Sequence, residues 1–174
     1  MTTQRDFSIR KTFLLPLGLL LLLSLALFGV IIAKGEPVAK VIILGLIILP
    51  VAGFFFESVV RRVQVGDSAI SVHKLLRQKS LMTAEITAVD TVLVRKRAFL
   101  TLSTEEDFII LSNAYADFPL LVQTILEKVP PQSISEETRQ MAVSPPIKST
   151  DIVSCWIAVA LMAFILYIQL MSGR

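Results

Sequence analysis

The sequence is poor in the residues that most often carry out catalysis or bind metals. It has one cysteine, Cys155, and one histidine, His73, among 174 residues. A single cysteine excludes an internal disulfide and a cysteine metal cluster, and inside an apolar run it would be a neutral thiol. The sequence also lacks a Gly-rich phosphate loop, a G-x-S-x-G motif and an H-x-E pattern followed by C-x-x-C. We therefore expect that the protein is not an enzyme and has no catalytic residue, cofactor or metal site.

Charged residues are scarce as well, and they avoid three long stretches. Only 18% of the residues are charged and 54% are hydrophobic. The stretches Phe13–Ala33 and Ile152–Met171 are uncharged, and Val38–Val60 contains only Lys40 and Glu57, near its ends. Each stretch is long enough to cross about 30 Å of hydrocarbon as a helix. The sequence therefore predicts three transmembrane helices. A signal peptide is the alternative for the first stretch, although no A-x-A cleavage site follows it.

The short turn Gly35-Glu36-Pro37 makes the first two spans an antiparallel helical hairpin. The expected order is a cytoplasmic N-terminus (1–12), transmembrane helix 1 (13–33), an external turn (34–37), transmembrane helix 2 (38–60), a cytoplasmic domain (61–129), a linker (130–150), transmembrane helix 3 (151–171) and an external tail (172–174). Within the linker, Ser135-Glu136-Glu137 supplies a cap and acidic first turn for a short helix up to Ala142.

Lysine and arginine are unequally distributed about the three spans. They precede the first span and cluster between the second and third, whereas only Lys34, Lys40 and Arg174 fall on the other side. By the positive-inside rule, the N-terminus and the central segment lie in the cytoplasm and the C-terminus outside. The residues expected at the membrane interfaces are Arg10, Lys11, Lys40, Arg61, Arg62, Trp156 and Tyr167. Ser154 and Ala158 form a small-xxx-small pair that is typical of a helix contact.

The central segment alternates between apolar and polar residues, which indicates β-strands. The expected strands are Ala69–Leu76, Ile86–Val94, Phe99–Ser103 and Phe108–Ser112, and the last two flank the acidic turn Thr104–Asp107. A helix over Phe118–Val129 has apolar residues at i, i+3, i+4 and i+7. Asp117 suits its N-cap and Pro119 its first turn. We expect this helix to cover the sheet.

This order of strands and helix after a transmembrane hairpin resembles the bacterial pleckstrin-homology-like (PH-like) domain of small membrane proteins. The resemblance covers about Val60–Val129. It is carried by the turn and strand Val65–Val72, the basic hairpin Leu75–Lys79, the strand Ala84–Val89 and the helix start Asp117–Leu121; Met82 and Thr83 stand where the family often has an aromatic residue. The resemblance implies an α+β domain of antiparallel sheets, or a partly open barrel, capped by one C-terminal helix. It also implies a multi-pass protein of the bacterial inner membrane.

Two basic hairpins are the candidate contact surfaces of this domain. They contain Lys74, Arg77 and Lys79 in one and Arg95, Lys96 and Arg97 in the other. The leading hypothesis is a non-catalytic scaffold or accessory protein whose domain docks an unidentified protein partner at the membrane. The alternative is a lipid-sensing or lipid-handling module, because cations near an anionic leaflet contribute about 1 kcal/mol each. These residues could also be solvated positions without a ligand.

The sequence also bears on three other possibilities. Nucleic acid is not expected as a partner, because aromatic residues do not interleave with either basic cluster. A transporter would need more polar groups inside the spans than Ser24, Ser154 and Gln169 provide. A homo-oligomer is compatible with the sequence.

Overall fold

The computed structural model describes residues 4–95, 97–146 and 150–172. These residues form two compact units, one from 4–10 and 60–146 and the other from 11–59 and 150–172. The elements in chain order are β1 (Arg5–Ser8), α1 (Lys11–Ala33), α2 (Val38–Val60), β2 (Arg62–Val65), β3 (Ala69–His73), β4 (Gln78–Met82), β5 (Ala88–Val94), β6 (Arg97–Ser103), β7 (Phe108–Ser112), α3 (Phe118–Leu126), α4 (Glu136–Val143) and α5 (Thr150–Met171).

The helical unit confirms the three apolar spans. α1, α2 and α5 are long and apolar enough to cross a membrane. α1 begins at Lys11 rather than Phe13, since a terminal lysine can lay its methylenes on apolar surface and extend its ammonium group into water. The turn between α1 and α2 is as short as expected, and Gly35 in it has a φ of 65°, which glycine adopts without strain.

Helix α1 packs against α5 in this unit. The buried side chains of α1 lie on one stripe, which includes Leu17, Leu21, Ser24, Leu27 and Ile31. Ser154, expected in a small-residue helix contact, does not pack within this unit: it is exposed and donates its hydroxyl to the Thr150 carbonyl of its own helix at 2.9 Å. Ala158 is half-buried, next to the buried Val159. The packed stripe of α5 therefore excludes Ser154.

The other unit is built on two antiparallel sheets. The first has the strand order β1-β2-β3-β4 and the second the order β5-β6-β7. Alternate residues of the strands point into the core, as the sequence pattern predicted. Fully buried core side chains include Val63, Val65, Ile70, Leu100, Leu102, Leu111, Leu121, Val122 and Ile125, the last three from α3. Two antiparallel sheets with a C-terminal helix are thus present.

Strand β1 was not expected from the sequence, which suggested only an N-terminal tail over residues 1–12. β1 pairs with β2 from Arg5 opposite Val65 to Ser8 opposite Arg62. Phe7 is buried, and the Ser8 carbonyl accepts a hydrogen bond of 2.8 Å from the Ala116 N–H. Since α1 and α2 lie between β1 and β2 in the chain, the helical hairpin is inserted between two neighbouring strands of one sheet.

Residues 130–146 are part of this unit, so the expectation of a linker over 130–150 is wrong for them. The expected short helix is confirmed as α4, and Ser135 caps it by accepting the Thr138 N–H at 3.4 Å. Thr138 is fully buried, and its hydroxyl donates to the Val89 carbonyl at 3.0 Å. A buried hydroxyl needs such a partner, so this bond fixes α4 against β5.

Two local expectations are also corrected. The segment Thr83–Glu85 is a turn of 3₁₀ helix rather than strand, because the Thr83 N–H and hydroxyl donate to the carbonyls of Ser68 and Asp67 at 2.9 and 3.0 Å. Asp117 precedes α3 but makes no side-chain cap, since its φ of 48° is left-handed, a conformation that aspartate tolerates. Its backbone carbonyl instead accepts the Leu121 N–H at 2.9 Å.

Candidate functional site

One end of the first sheet carries the chain into α1 and receives it from α2. The strand register aligns Ser8, Arg62, His73 and Gln78 in one row at this end. Only Arg61 separates α2 from β2, and only Ile9 and Arg10 separate β1 from α1. We call this row the junction end of the sheet. The chain therefore enters α1 and leaves α2 next to this end of the sheet.

The turn between β3 and β4, residues 74–77, projects from the junction end. The Lys74 N–H donates to the Arg77 carbonyl at 2.9 Å, which closes the turn. Between these two cations lie Leu75, which is 45% exposed, and Leu76, which is 92% exposed. The two leucine side chains are therefore presented to the surroundings rather than to the core.

A cavity of about 240 Å³ opens beside this turn. It lies where β4 of the first sheet approaches β7 of the second. Its lining combines cations with apolar side chains and consists of Val72, Lys74, Arg77, Lys79, Phe108, Ile109 and Ile110. The structure thus brings together the three cations of the first basic hairpin, as the sequence suggested. Such a cavity can accept an anionic group that carries apolar substituents.

The three cations of the cavity differ in how they are compensated. Lys79 forms an ion pair with Asp107, and its ammonium group lies 4.7 Å from the centre of the Phe108 ring. The Lys79 ammonium group, and after it the Phe108 backbone N–H, lowers the pKa of the Asp107 carboxyl below its ordinary value. Among the residues that the structure describes, no carboxylate pairs with Lys74 or Arg77. Lys74 and Arg77 are therefore the cations available to an outside anion.

The second basic hairpin joins β5 to β6. Arg95 and Arg97 are exposed, Arg95 has a positive φ of 56°, and Lys96 lies outside the described residues. The preceding residues Val92, Leu93 and Val94 are each about half exposed. This hairpin therefore also combines cations with exposed aliphatic side chains.

Asn113 ties three parts of the domain together and is almost fully buried. Its backbone N–H donates to the Ala98 carbonyl at 3.1 Å, next to Arg97. Its side-chain amide donates to the Pro146 carbonyl at 2.8 Å, and its own carbonyl accepts the Arg10 guanidinium. Arg10 and Pro146 belong to the segments that lead into α1 and α5. Asn113 thus holds the segment that leads into α1 and the segment that leads into α5 beside the second basic hairpin.

Comparison of the chain with family models, with curated proteins and with solved structures gave no match.

The residues expected at the membrane interfaces take different roles. Arg62 is an exposed member of β2, Arg61 is half-buried, and Arg10 binds the Asn113 carbonyl, so Arg10 contacts the domain. The remaining four lie in the long helices: Lys11 is the first residue of α1, Lys40 pairs with Glu36 at 2.7 Å, and Trp156 and Tyr167 are exposed on α5.

His73 occupies the exposed phase of β3, as expected from the inward direction of Ile70 and Val72. Its ring Nε2 lies 2.8 Å from the Gln64 side-chain oxygen. Within the described part of the chain, no group of three or more His, Cys, Asp and Glu side chains could hold a metal ion. The position of His73 is accounted for by its neighbour in the sheet.

Sequence reasoning identified the cations of the two hairpins and placed Leu75 and Leu76 in the first of them, but it gave these leucines and Asn113 no role. The expected strand Ala69–Leu76 placed both leucines inside a strand, whereas β3 ends at His73. The sequence feature that could have shown the end of the strand is the adjacent pair of leucines, which breaks the alternation of Ile70 and Val72. No local signal marks Asn113, because its partners are distant in sequence.

Proposed function

We propose that this chain is a non-catalytic membrane protein whose PH-like domain binds the anionic surface of the membrane that holds its helices. The observation that carries this proposal is the position of Lys74 and Arg77. They lie in the turn that projects from the junction end of the first sheet, and neither has a carboxylate partner in the described part of the chain.

Chain connectivity supports contact with lipid headgroups. Two residues span about 7 Å at most, so Arg62 lies within that distance of Val60, the last residue of α2. Neighbouring antiparallel strands are about 5 Å apart, and His73 is directly opposite Arg62. The turn begins at the next residue. The turn is thus within about two Debye lengths of the end of an apolar helix. At that distance, screening by salt still leaves some attraction between its cations and an anionic leaflet.

The tether makes a weak contact sufficient. A domain that is covalently joined to membrane helices meets headgroups at a high effective concentration, so each cation needs to contribute only about 1 kcal/mol to bias its position. The binding would orient the domain on the surface rather than recruit it from solution.

The orientation expected from the positive-inside rule fits this proposal. Pairing of β1 with β2 requires that both ends of the α1–α2 hairpin return to the same side, which supports a shared side for the N-terminus and the domain. Lysine and arginine are concentrated on that side, which supports a cytoplasmic location, and the PH-like resemblance implies a bacterial inner membrane. The two antiparallel sheets and the following helix are the arrangement that the PH-like resemblance implies.

Native mass spectrometry of the full-length protein, purified with mixed phosphatidylglycerol and phosphatidylcholine, tests the proposal. We expect the Lys74→Gln/Arg77→Gln variant to retain several-fold less phosphatidylglycerol than the unmodified chain. The matched control is Lys128→Gln/Arg139→Gln, which removes the same charge elsewhere; Lys128 pairs with Asp67 in the turn at the opposite end of the first sheet. Equal retention by the two variants would refute the proposal.

Docking of a protein partner is a second candidate function, and β5 favours it. On the side away from β6, Val92–Val94 has no strand partner among the described residues, and all three side chains are about half exposed. Such an edge can accept an added strand. The same spectra report bound protein and the number of copies of this chain. Loss of a bound protein in the Leu93→Lys variant, with lipid retention unchanged, would favour this function.

A further inference from the structure

We propose that Leu75 and Leu76 insert into the acyl region of the anionic leaflet and form an apolar tip on the domain. This inference rests on the proposed function, because the flanking cations bring the tip to the headgroups. It adds a second kind of contact, which depends on apolar surface and not on charge.

The first argument is the exposure of the two leucines. A singly exposed leucine is ordinary in a soluble domain. Here, however, a pair of leucines occupies a hairpin turn, and Leu76 is 92% exposed, so packing of the core does not explain it. Two other hairpin turns, Gly66–Ser68 of the first sheet and Thr104–Asp107 of the second, are polar, as turns in water usually are.

The second argument is the arrangement of charge about the leucines. Lys74 and Arg77 stand immediately before and after them, and Arg62 is exposed in the row from which the turn projects. Segments that lie in a membrane interface place cations at the level of the headgroups and apolar side chains below it. A turn with two leucines at its apex and a cation on each side matches this order.

The third argument selects the bilayer over a protein as the occupant. A protein partner could be met anywhere on the domain, whereas the leaflet is reached only near the points at which the chain enters it. The turn projects from the junction end, which Arg61 joins directly to α2. The apolar tip is therefore found at the end of the sheet that chain connectivity keeps near lipid.

Fluorescence quenching in the full-length protein tests the insertion. In a Cys155→Ser background, which removes the one cysteine, Leu76→Cys carries a polarity-sensitive fluorophore. The protein is reconstituted into phosphatidylcholine vesicles containing phosphatidylglycerol, with a nitroxide on the upper acyl chain of some lipids. Ser68→Cys, exposed in the turn at the opposite end of the same sheet, is the matched control. We expect several-fold stronger quenching at 76 than at 68; equal quenching would overturn the inference.

A second pair of variants places the fluorophore outside the leucine pair, because Leu76→Cys itself removes one of the two leucines. A fluorophore at Gln78→Cys, exposed next to the turn, reports the depth of the hairpin with Leu76 present and with Leu76→Ser. We expect the serine to reduce quenching by the acyl-chain nitroxide severalfold. Unchanged quenching would show that Leu76 does not set the depth and would overturn the inference.

The quenching and the lipid retention distinguish this inference from the proposed function. Strong quenching at 76 that persists in pure phosphatidylcholine and at high salt, with retention unaffected by Lys74→Gln/Arg77→Gln, would support insertion and overturn binding of anionic headgroups. Retention that requires the two cations, without quenching at 76, would support the proposed function and overturn insertion. A fluorophore at position 76 that a bound protein protects from a water-soluble quencher, without quenching by the acyl-chain nitroxide, would also overturn insertion.

Discussion

The first sheet ends in turns of opposite character. At the junction end, the turn between β3 and β4 exposes two leucines between two cations and is closed by a bond within itself. At the other end, the turn Gly66–Ser68 is polar and is held by its neighbours: Asp67 pairs with Lys128 at 2.5 Å and its carbonyl accepts the Thr83 hydroxyl. The same strand, β3, joins both turns. Strand geometry does not account for the difference, since both turns join neighbouring antiparallel strands of one sheet; our proposal assigns the apolar turn to contact with lipid.

The comparison depends on the pairing of β1 with β2, because β1 ends at the junction end and only Ile9 and Arg10 separate it from α1. A designed soluble chain in which a short Gly-Ser linker replaces the helical hairpin, joining residues 4–10 to 61–150, should fold, because Ser8 and Arg62 are already paired. In it, Phe7→Ala should lower the free energy of unfolding in urea by about 3–5 kcal/mol, as for a large buried side chain. Asp6→Ala, at an exposed position of the same strand, is the control and should change it by less than about 0.5 kcal/mol. Equal effects would mean that β1 is not part of the sheet.

A smaller loss is expected at Asn113, which connects the segments next to α1 and α5. Asn113→Ala should lower the free energy of unfolding of the designed chain by about 1–3 kcal/mol, because it removes the buried amide that donates to the half-buried Pro146 carbonyl. Thr87→Ala removes an exposed hydroxyl bond to the Ser103 carbonyl and should have little effect. If the two variants are equally stable, Asn113 does not hold the junction.

The ion pair beside the leucine turn should be visible in a titration. The Lys79 pair holds the pKa of Asp107 below its ordinary value, so its contribution to stability is present above that ordinary value and is lost as the pH falls through the lowered pKa. Lys79→Gln should therefore raise the pKa of Asp107, measured from the carboxyl carbon by NMR. Lys74→Gln, which changes an unpaired cation of the same cavity, should leave it lowered. An Asp107 pKa that does not move in Lys79→Gln would rule out the pair.

The smallest effect is expected at the turn itself. Leu76→Ala should change the free energy of unfolding of the designed chain by less than about 0.5 kcal/mol, because the side chain is 92% exposed. Leu81→Ala, a leucine of the adjoining β4 that is 5% exposed, should cost about 2–5 kcal/mol. A large decrease in the free energy of unfolding in Leu76→Ala would mean that Leu76 stabilises the fold. Its exposure would then no longer indicate contact with a ligand or lipid.

The parts of the fold that the sequence predicted are those with a strong local signal. Long uncharged runs predicted α1, α2 and α5, since length and composition alone decide whether a helix can cross a membrane. Alternation predicted β7 with its bounds, and most of β3, β5 and β6. The amphipathic stripe predicted α3.

The parts that the sequence did not predict depend on distant partners. β1 has one buried residue, Phe7, and its partner strand follows the whole helical hairpin, so four residues gave no visible pattern. A polar residue such as Thr138 is ordinarily expected on the solvated face of a helix. Its hydrogen bonds to Thr91 and Val89 of β5 show that this face of α4 is packed on the sheet. For the candidate site, the cations were evident from composition. The position of Lys74 and Arg77 at the junction end depends on the register of β3 with β2, and β2 was not predicted as a strand.

Insertion of the helical hairpin between β1 and β2 has a consequence for biogenesis. As the chain leaves the ribosome, β1 emerges first and its neighbour only after both apolar helices have been made. β1 therefore has no sheet partner until both apolar helices and β2 have been synthesised. A defect in the hairpin that kept β2 from pairing with β1 would leave the first sheet with three strands and Phe7 without its buried place.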